Sequence, residues 1–252
     1  HFKVPVYLCY LEGQYLQNTK VCLDERLGET HATMSLLFSK EDVERLTVEE
    51  MDDIINEKFR RDEYAWNKEK KIKWKTKGRI CHRLEDFCYK CPKCGQEFTM
   101  KGTGDKIECS ACGNGATMDD YYQFHPYENA VIPESPFDWV EQERMDIIKE
   151  IRENKDYYFE DECQIGNLDD YKLVGNNKTS FIVGEGKIRV DHTGMHYKGT
   201  RNGEPYEFNV DYRSLYTLIT EVDSSFFNFY LRGEYFDVFP KHQTVGKFCL
   251  LV

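Results

Sequence analysis

Read by the spacing of its apolar positions, the chain divides into a strand-like start, a helical stretch, a cysteine-rich middle and a long strand-rich end. Residues 4 to 11, VPVYLCYL, form a nearly continuous apolar run, the pattern of a strand buried on both faces. HATMSLLF, residues 31 to 38, is the other strand-like run before the helices. From Ser39 the spacing changes. Ser39 and Thr47 are expected N-caps, Glu41 and Asp42 bring acidity to a first turn, and Val43 and Leu46 belong to a short helix. Val48, Met51, Ile54, Ile55 and Phe59 then make a stripe at mostly three- and four-residue intervals. Past the cysteines, the stretch HPYENAVIPESP reads as a connection to a helix opened by Ser135-Pro136, with Trp139, Met145, Ile148 and Ile151 near one face. After Asn154, β-branched and aromatic residues dominate in FIVGEG, KIRVDHTGMHYKG, TRNGEPYEFNV, LYTLITEV and FFNFYLRGEYFDVF. Turn signals fall at His192-Thr193-Gly194, Asn202-Gly203 and Arg232-Gly233, so this end is expected to be an antiparallel meander forming a small barrel or sandwich.

The balance of 45 acidic against 34 basic residues gives a net charge of -11, which argues against a general nucleic-acid binder because phosphate neutralisation needs a basic face. No run of about 18 apolar residues is present to span a bilayer, and the start HFKVPV lacks the features of a signal peptide. The expectation is a cytoplasmic protein. Charge is inverted locally: residues 68 to 83, KEKKIKWKTKGRICHR, carry eight Lys or Arg and one Glu. Two readings stay open. The segment is a solvated linker balancing the acidic helix before it, or Lys70, Lys71, Lys73 and Lys75 contact anionic lipid with Trp74 at the interface.

Six of the ten cysteines fall between Cys81 and Cys112, a clustering that favours metal binding over a disulfide framework. Two knuckles, Cys91-Pro92-Lys93-Cys94-Gly95 and Cys109-Ser110-Ala111-Cys112-Gly113, are separated by 14 residues. Zinc takes four ligands tetrahedrally, and each Cys-x-x-Cys turn supplies two corners. The glycine after each second cysteine permits positive φ. Between the knuckles, EFTM and KIEC flank GTGD as a hairpin, and ATMDDYYQF can add a third strand. The expected ligands are therefore Cys91, Cys94, Cys109 and Cys112, holding structural Zn2+ in a closed site that leaves no position for catalytic water. Cys88 offers a competing register, Cys88-x-x-Cys91; Cys94 is preferred because the Cys-Gly ending recurs.

Val4-Pro5-Val6 and Leu11-Glu12-Gly13-Gln14-Tyr15-Leu16 resemble the last characteristic block of the lysophosphatidate (1-acylglycerol-3-phosphate O-) acyltransferase family, in which an apolar-Pro strand precedes an "EGSY"-like turn. ETHATMSLLFSKEDVERLTVEEMDDII is similar to that family's closing strand and last helix, and the ribbon and β-rich end resemble an extension of some bacterial members. The resemblance implies an acyltransferase origin in phospholipid biosynthesis and, as partner, a catalytic acyltransferase domain or an anionic membrane surface. The family's His-x4-Asp pair is missing, because none of the seven histidines has Asp five residues on, and no Glu-Gly-Thr-Arg block is complete. No catalytic residue is carried over, and the chain alone is expected to be inactive. The β-rich end resembles a pleckstrin-homology or GRAM-type barrel. His192, His196 and His242 either decorate a site there or are scattered surface residues.

The expected fold is α+β and multidomain: residues 1–58 a C-terminal remnant of an acyltransferase-like domain, 59–86 a basic helical linker, 87–126 a zinc ribbon, 127–155 a linker helix and 156–252 the small antiparallel barrel. The alternative to a membrane or partner-targeting region is a free-standing zinc-ribbon interaction module.

Overall fold

A computed structural model describes residues 3–19, 22, 24–167, 180–215, 217–221 and 223–252. At the start, β1 (Val6–Glu12) pairs antiparallel with β2 (His31–Phe38) in a two-stranded sheet, and Gly13, at φ +81°, turns the chain into the single-turn helix α1 (Gln14–Gln17). The expectation of a strand buried on both faces is not met: of the run VPVYLCYL, only Leu8 is buried. Cross-strand partners Tyr7 and Leu36, Cys9 and Met34, and Leu11 and Ala32 share one face, and all six are exposed. The reason is local supply. Among the described residues each strand has one neighbour, and it is the opposite face that other elements meet, where Tyr10 donates to the carbonyl of Lys58, Arg61 pairs with Glu12 at 3.0 Å and His31 packs edge-on against Trp66.

Helices α2 (Lys40–Arg45) and α3 (Val48–Phe59) begin at Ser39 and Thr47, and both starts are capping boxes in which Asp42 and Glu50 reach back to the cap amides. Met51, Ile54 and Ile55 are half-buried while Val48 and Phe59 at the ends of the stripe are exposed. Helix α4 (Glu63–Lys70) follows, and Lys71 in left-handed conformation ends it.

The segment read as a linker is built into a core. Tyr64, Trp74, Ile80, Cys81 and Leu84 join Leu16, Met100, Ile107, Tyr122 and Trp139 in one buried cluster. Trp74 is the main correction, because its ring is fully buried and is no interfacial residue. Its Nε1 donates to Asn67 Oδ1 at 3.2 Å, its amide donates to the Asp120 carbonyl, and a Cβ on Gly28 would collide with the indole at 2.4 Å. Arg26 is buried nearby, donating to the Tyr122 hydroxyl at 2.8 Å and the Ile80 carbonyl at 3.1 Å.

The middle of the chain forms a four-stranded meander of β3 (Met100–Thr103), β4 (Lys106–Cys109), β5 (Gly115–Met118) and β6 (Phe124–Pro126). Helix α5 (Pro136–Glu153) lies beside it, with Ser135 capping the Asp138 amide. Its inner positions are Trp139, Glu143 and Ile147, whereas Met145, expected near the inner face, is exposed.

The C-terminal part contains β7 (Tyr158–Asn167), β8 (Phe181–Asp191), β9 (Gly194–Arg201), β10 (Glu204–Asp211), β11 (Ile219–Thr220), β12 (Phe227–Leu231) and β13 (Glu234–Pro240), then helix α6 (Val245–Leu251). The expected turns at 192–194, 202–203 and 232–233 join β8 to β9, β9 to β10 and β12 to β13. Two antiparallel meanders, β7–β10 and β11–β13, meet where β13 pairs with β7, and in the order β10-β9-β8-β7-β13-β12-β11 the end strands have no second neighbour among the described residues. The sheet is therefore not the closed barrel that regular strand spacing predicts. In the expected strand LYTLITEV only Ile219–Thr220 is extended, and Tyr216 and Val222 lie outside the described residues. Helix α6 joins this core through Val245 and Phe248, and the Phe248 ring packs against Phe159 and Phe227.

Contacts join the two cores. Arg83 and Gln243 both donate to the buried carboxylate of Asp86, Lys247 meets Glu97 at 2.6 Å, and Phe98 stacks on Phe159. Gly246 sits against the Asp86 carbonyl, where an added Cβ would come within 1.9 Å.

Candidate metal centre

The two knuckles repeat one hydrogen-bond scheme. In the first, the Cys91 amide donates to the Gln96 carbonyl and the Gly95 amide to the Cys91 carbonyl; in the second, Cys109 donates to Asn114 and Gly113 to Cys109. Gly95 and Gly113 have φ +73° and +70°, the left-handed conformation that turns the chain back under its own sulfurs. The loops therefore face each other with four thiols between them. The sulfurs of Cys91, Cys94, Cys109 and Cys112 all lie within 4.8 Å of one another. Cys91 and Cys112 are 3.7 Å apart and Cys94 and Cys109 are 3.8 Å apart, too far for a disulfide of about 2.05 Å. Both distances equal, to about 0.1 Å, the edge of a tetrahedron with metal–thiolate arms of about 2.3 Å. This four-cysteine cluster can hold a metal ion. Cys88, the competing ligand, is buried in the core as an isolated thiol.

Electrostatics asks for a cation at the centre. Burial opposes ionisation of Cys109, but hydrogen bonds from Thr99 Oγ1 and the Ala111 and Cys112 amides outweigh it and bring the thiol down to about 6. At Cys112 the Asn114 amide favours the thiolate, yet desolvation and the three neighbouring thiols prevail and hold it up at about 12. Burial also raises Cys91. One negative charge is welcome here and four are not, unless a positive ion sits among them.

Side chains outside the four thiols orient the knuckles. Asn114 Nδ2 lies 3.6 Å from Cys91 Sγ and donates to the Val131 carbonyl, while its Oδ1 accepts from the Val131 amide at 2.7 Å. Helix α5 grips the residue before Cys91: Trp139 Nε1 donates to the Lys90 carbonyl at 2.9 Å and the Lys90 amide donates to Glu143 Oε1 at 2.7 Å. Burial first, helped by Glu97 and opposed by Lys90, pushes the Glu143 carboxyl up to about 9. Sequence reasoning missed Asn114, Thr99 and Glu143. Only Asn114 left a signal, as the counterpart of Gln96 in the repeat Cys-x-x-Cys-Gly-Gln/Asn.

The basic segment splits in two. From Lys71 to Lys77, covered and exposed positions alternate, so Ile72, Trp74 and Thr76 are covered and Lys71, Lys73, Lys75 and Lys77 are exposed. Lys73 meets Asp120 at 3.5 Å; Lys70, Lys71, Lys75 and Lys77 have no ion pair among the described residues. Hydrogen bonds of the Trp74 and Lys75 amides to Asp120 and Leu27 fix the row in place. The histidines are tied into local structure: His196 joins Thr193, Asp191 and Asn209 at a turn, His242 Nδ1 lies 2.6 Å from Asp161 before α6, and His192 contacts the Asn154 carbonyl.

Comparison of the chain with family models, with curated proteins and with solved structures finds no match. Among the described residues no helix is long and apolar enough to cross a membrane.

Proposed function

We propose that the chain is a non-catalytic, zinc-stabilised accessory region of a phospholipid-biosynthesis acyltransferase-like protein, and that it targets the protein to the anionic cytoplasmic surface of a membrane. The observation that carries this reading is the row of outward lysines, held rigid over buried Trp74 in a chain whose net charge is otherwise strongly negative. Each lysine near an anionic bilayer contributes about 1 kcal/mol. Binding by this row is electrostatic and peripheral, since the tryptophan that would insert is enclosed in the core.

Three further features support the reading. The exposed face of the β1–β2 hairpin, on the segment resembling the acyltransferase block, is a surface for a catalytic acyltransferase domain. Zinc suits four thiolates gathered around one point, two pairs of them 3.7 and 3.8 Å apart, and a closed four-thiolate zinc site stabilises rather than catalyses. The paired meanders with a terminal helix in their core fit the pleckstrin-homology or GRAM-type resemblance.

The test is co-sedimentation with phosphatidylserine-containing vesicles. Binding is expected at low salt, to vanish at high salt, and to weaken about tenfold or more when Lys70, Lys71, Lys73 and Lys75 are changed to Glu. Equal binding to zwitterionic vesicles, or none to anionic ones, overturns membrane targeting and leaves a zinc-ribbon module that docks a protein partner.

A further inference from the structure

A cavity of about 440 Å³ lies between α4, the turn at Leu84–Asp86 and the start of α5, away from both the four thiols and the lysine row. Its size falls within the range of about 300 to 1,000 Å³ typical of small-molecule sites. Tyr64, Leu84, Phe87, Phe137 and Val140 make walls of carbon, and the Cys88 thiol behaves as one more apolar group. The lining is predominantly apolar, with the Tyr64 hydroxyl paired to Tyr15 at the rim, so the body of an occupant is hydrocarbon.

The rim differs in kind. Tyr15, Arg61 and Glu63 line it, with Tyr15 partly exposed and the Arg61 side chain 25% exposed. Glu63 accepts the Gly13 amide. Arg61 directs one nitrogen, Nη2, at both neighbouring carboxylates, Glu12 at 3.0 Å and Glu63 at 3.9 Å. Its Nε and Nη1 have no hydrogen-bond acceptor among the described residues. The three N–H groups on these two nitrogens, with Tyr15 also on the rim, are donors in search of an acceptor, and the planar fork suits a carboxylate.

We infer that this cavity binds an amphiphile with an aliphatic chain and an acidic head, the chain between α4 and α5 and the head on Arg61 and Tyr15. The inference is independent of membrane targeting, because it concerns a monomeric ligand in solution and a different surface.

The experiment is calorimetric titration of the metal-loaded chain with sodium decanoate below its micellar concentration, with decanol and decylamine as comparisons. Decanoate is expected to bind saturably at one per chain, about tenfold tighter than decanol, with decylamine weakest, since a hydrogen bond to a charged group is worth about a factor of ten or more. Arg61→Gln is expected to bring decanoate down to the affinity of decanol while leaving decanol unchanged. Val140→Trp, which fills the cavity, is expected to abolish both with metal content and circular dichroism intact. Absence of saturable decanoate binding, decylamine binding tightest, or a folded Val140→Trp protein that binds like the parent overturns the inference.

Discussion

Glu143 occupies a helix position where periodicity calls for an apolar side chain, and it is held there by one hydrogen bond to the amide preceding Cys91. Its other oxygen is buried with no protein partner. The cost is a carboxyl group held up at about 9 in the fold against an ordinary value of 4.5, so the folded chain binds a proton that the unfolded chain releases. Stability from this group is fully present below about pH 4.5 and is lost as pH climbs through about 9. Asp86, raised to about 7 chiefly by burial, adds a loss in the same direction that is complete at lower pH. Glu143→Gln, which keeps the acceptor, is expected to flatten this slope and to stabilise the protein by roughly 1 to 3 kcal/mol at pH 8. Urea unfolding of both proteins at matched pH checks this, since protonation of the metal ligands is common to the two. Identical slopes would mean that the carboxyl group is ionised in place. The sequence offers no warning of Glu143, because a lone Glu on an amphipathic helix looks like a solvent-facing residue.

At the scale of elements, what depends on neighbours within a few residues was legible and what depends on distant ones was not. Ser39, Thr47 and Ser135 were readable as caps because a cap and the amide that donates to it lie three residues apart. The Cys-x-x-Cys-Gly knuckles and the Asn202-Gly203 and Arg232-Gly233 turns were readable for the same reason. Trp74 was not, because its enclosure comes from Asn67, Gly28 and Tyr122, which only the finished fold assembles. Nor was the pairing of β7 with β13 in the middle of the sheet, which leaves β10 and β11 at opposite ends without a ladder between them among the described residues. The ribbon β3–β6 should depend on its ion. One metal per chain is expected, and chelation or Cys94→Ser should abolish amide-exchange protection in β3, β4 and β5 while β8 and β9 keep theirs. A metal-free preparation with a protected ribbon would show that the thiols alone suffice.

For the whole molecule, two cores are coupled through a small set of contacts at residues 83–98, 159 and 243–247. The buried Lys247 reaches Glu97, three residues past Cys94, so the last helix of the chain is anchored on the first knuckle. The exposed lysine row and the apolar cavity sit on the ribbon side of this junction, and the open sheet lies on the other.

The bare hairpin bears on colloidal behaviour. A charge of -11 keeps copies of the chain apart at low ionic strength, while Tyr7, Leu11, Met34 and Leu36 supply a short-range stickiness that dissolved ions do not screen. The second osmotic virial coefficient from light scattering is therefore expected to fall from positive to negative as sodium chloride is added, and Met34→Lys should keep it positive. A coefficient that rises with salt, or that ignores this substitution, would locate the attraction elsewhere on the surface.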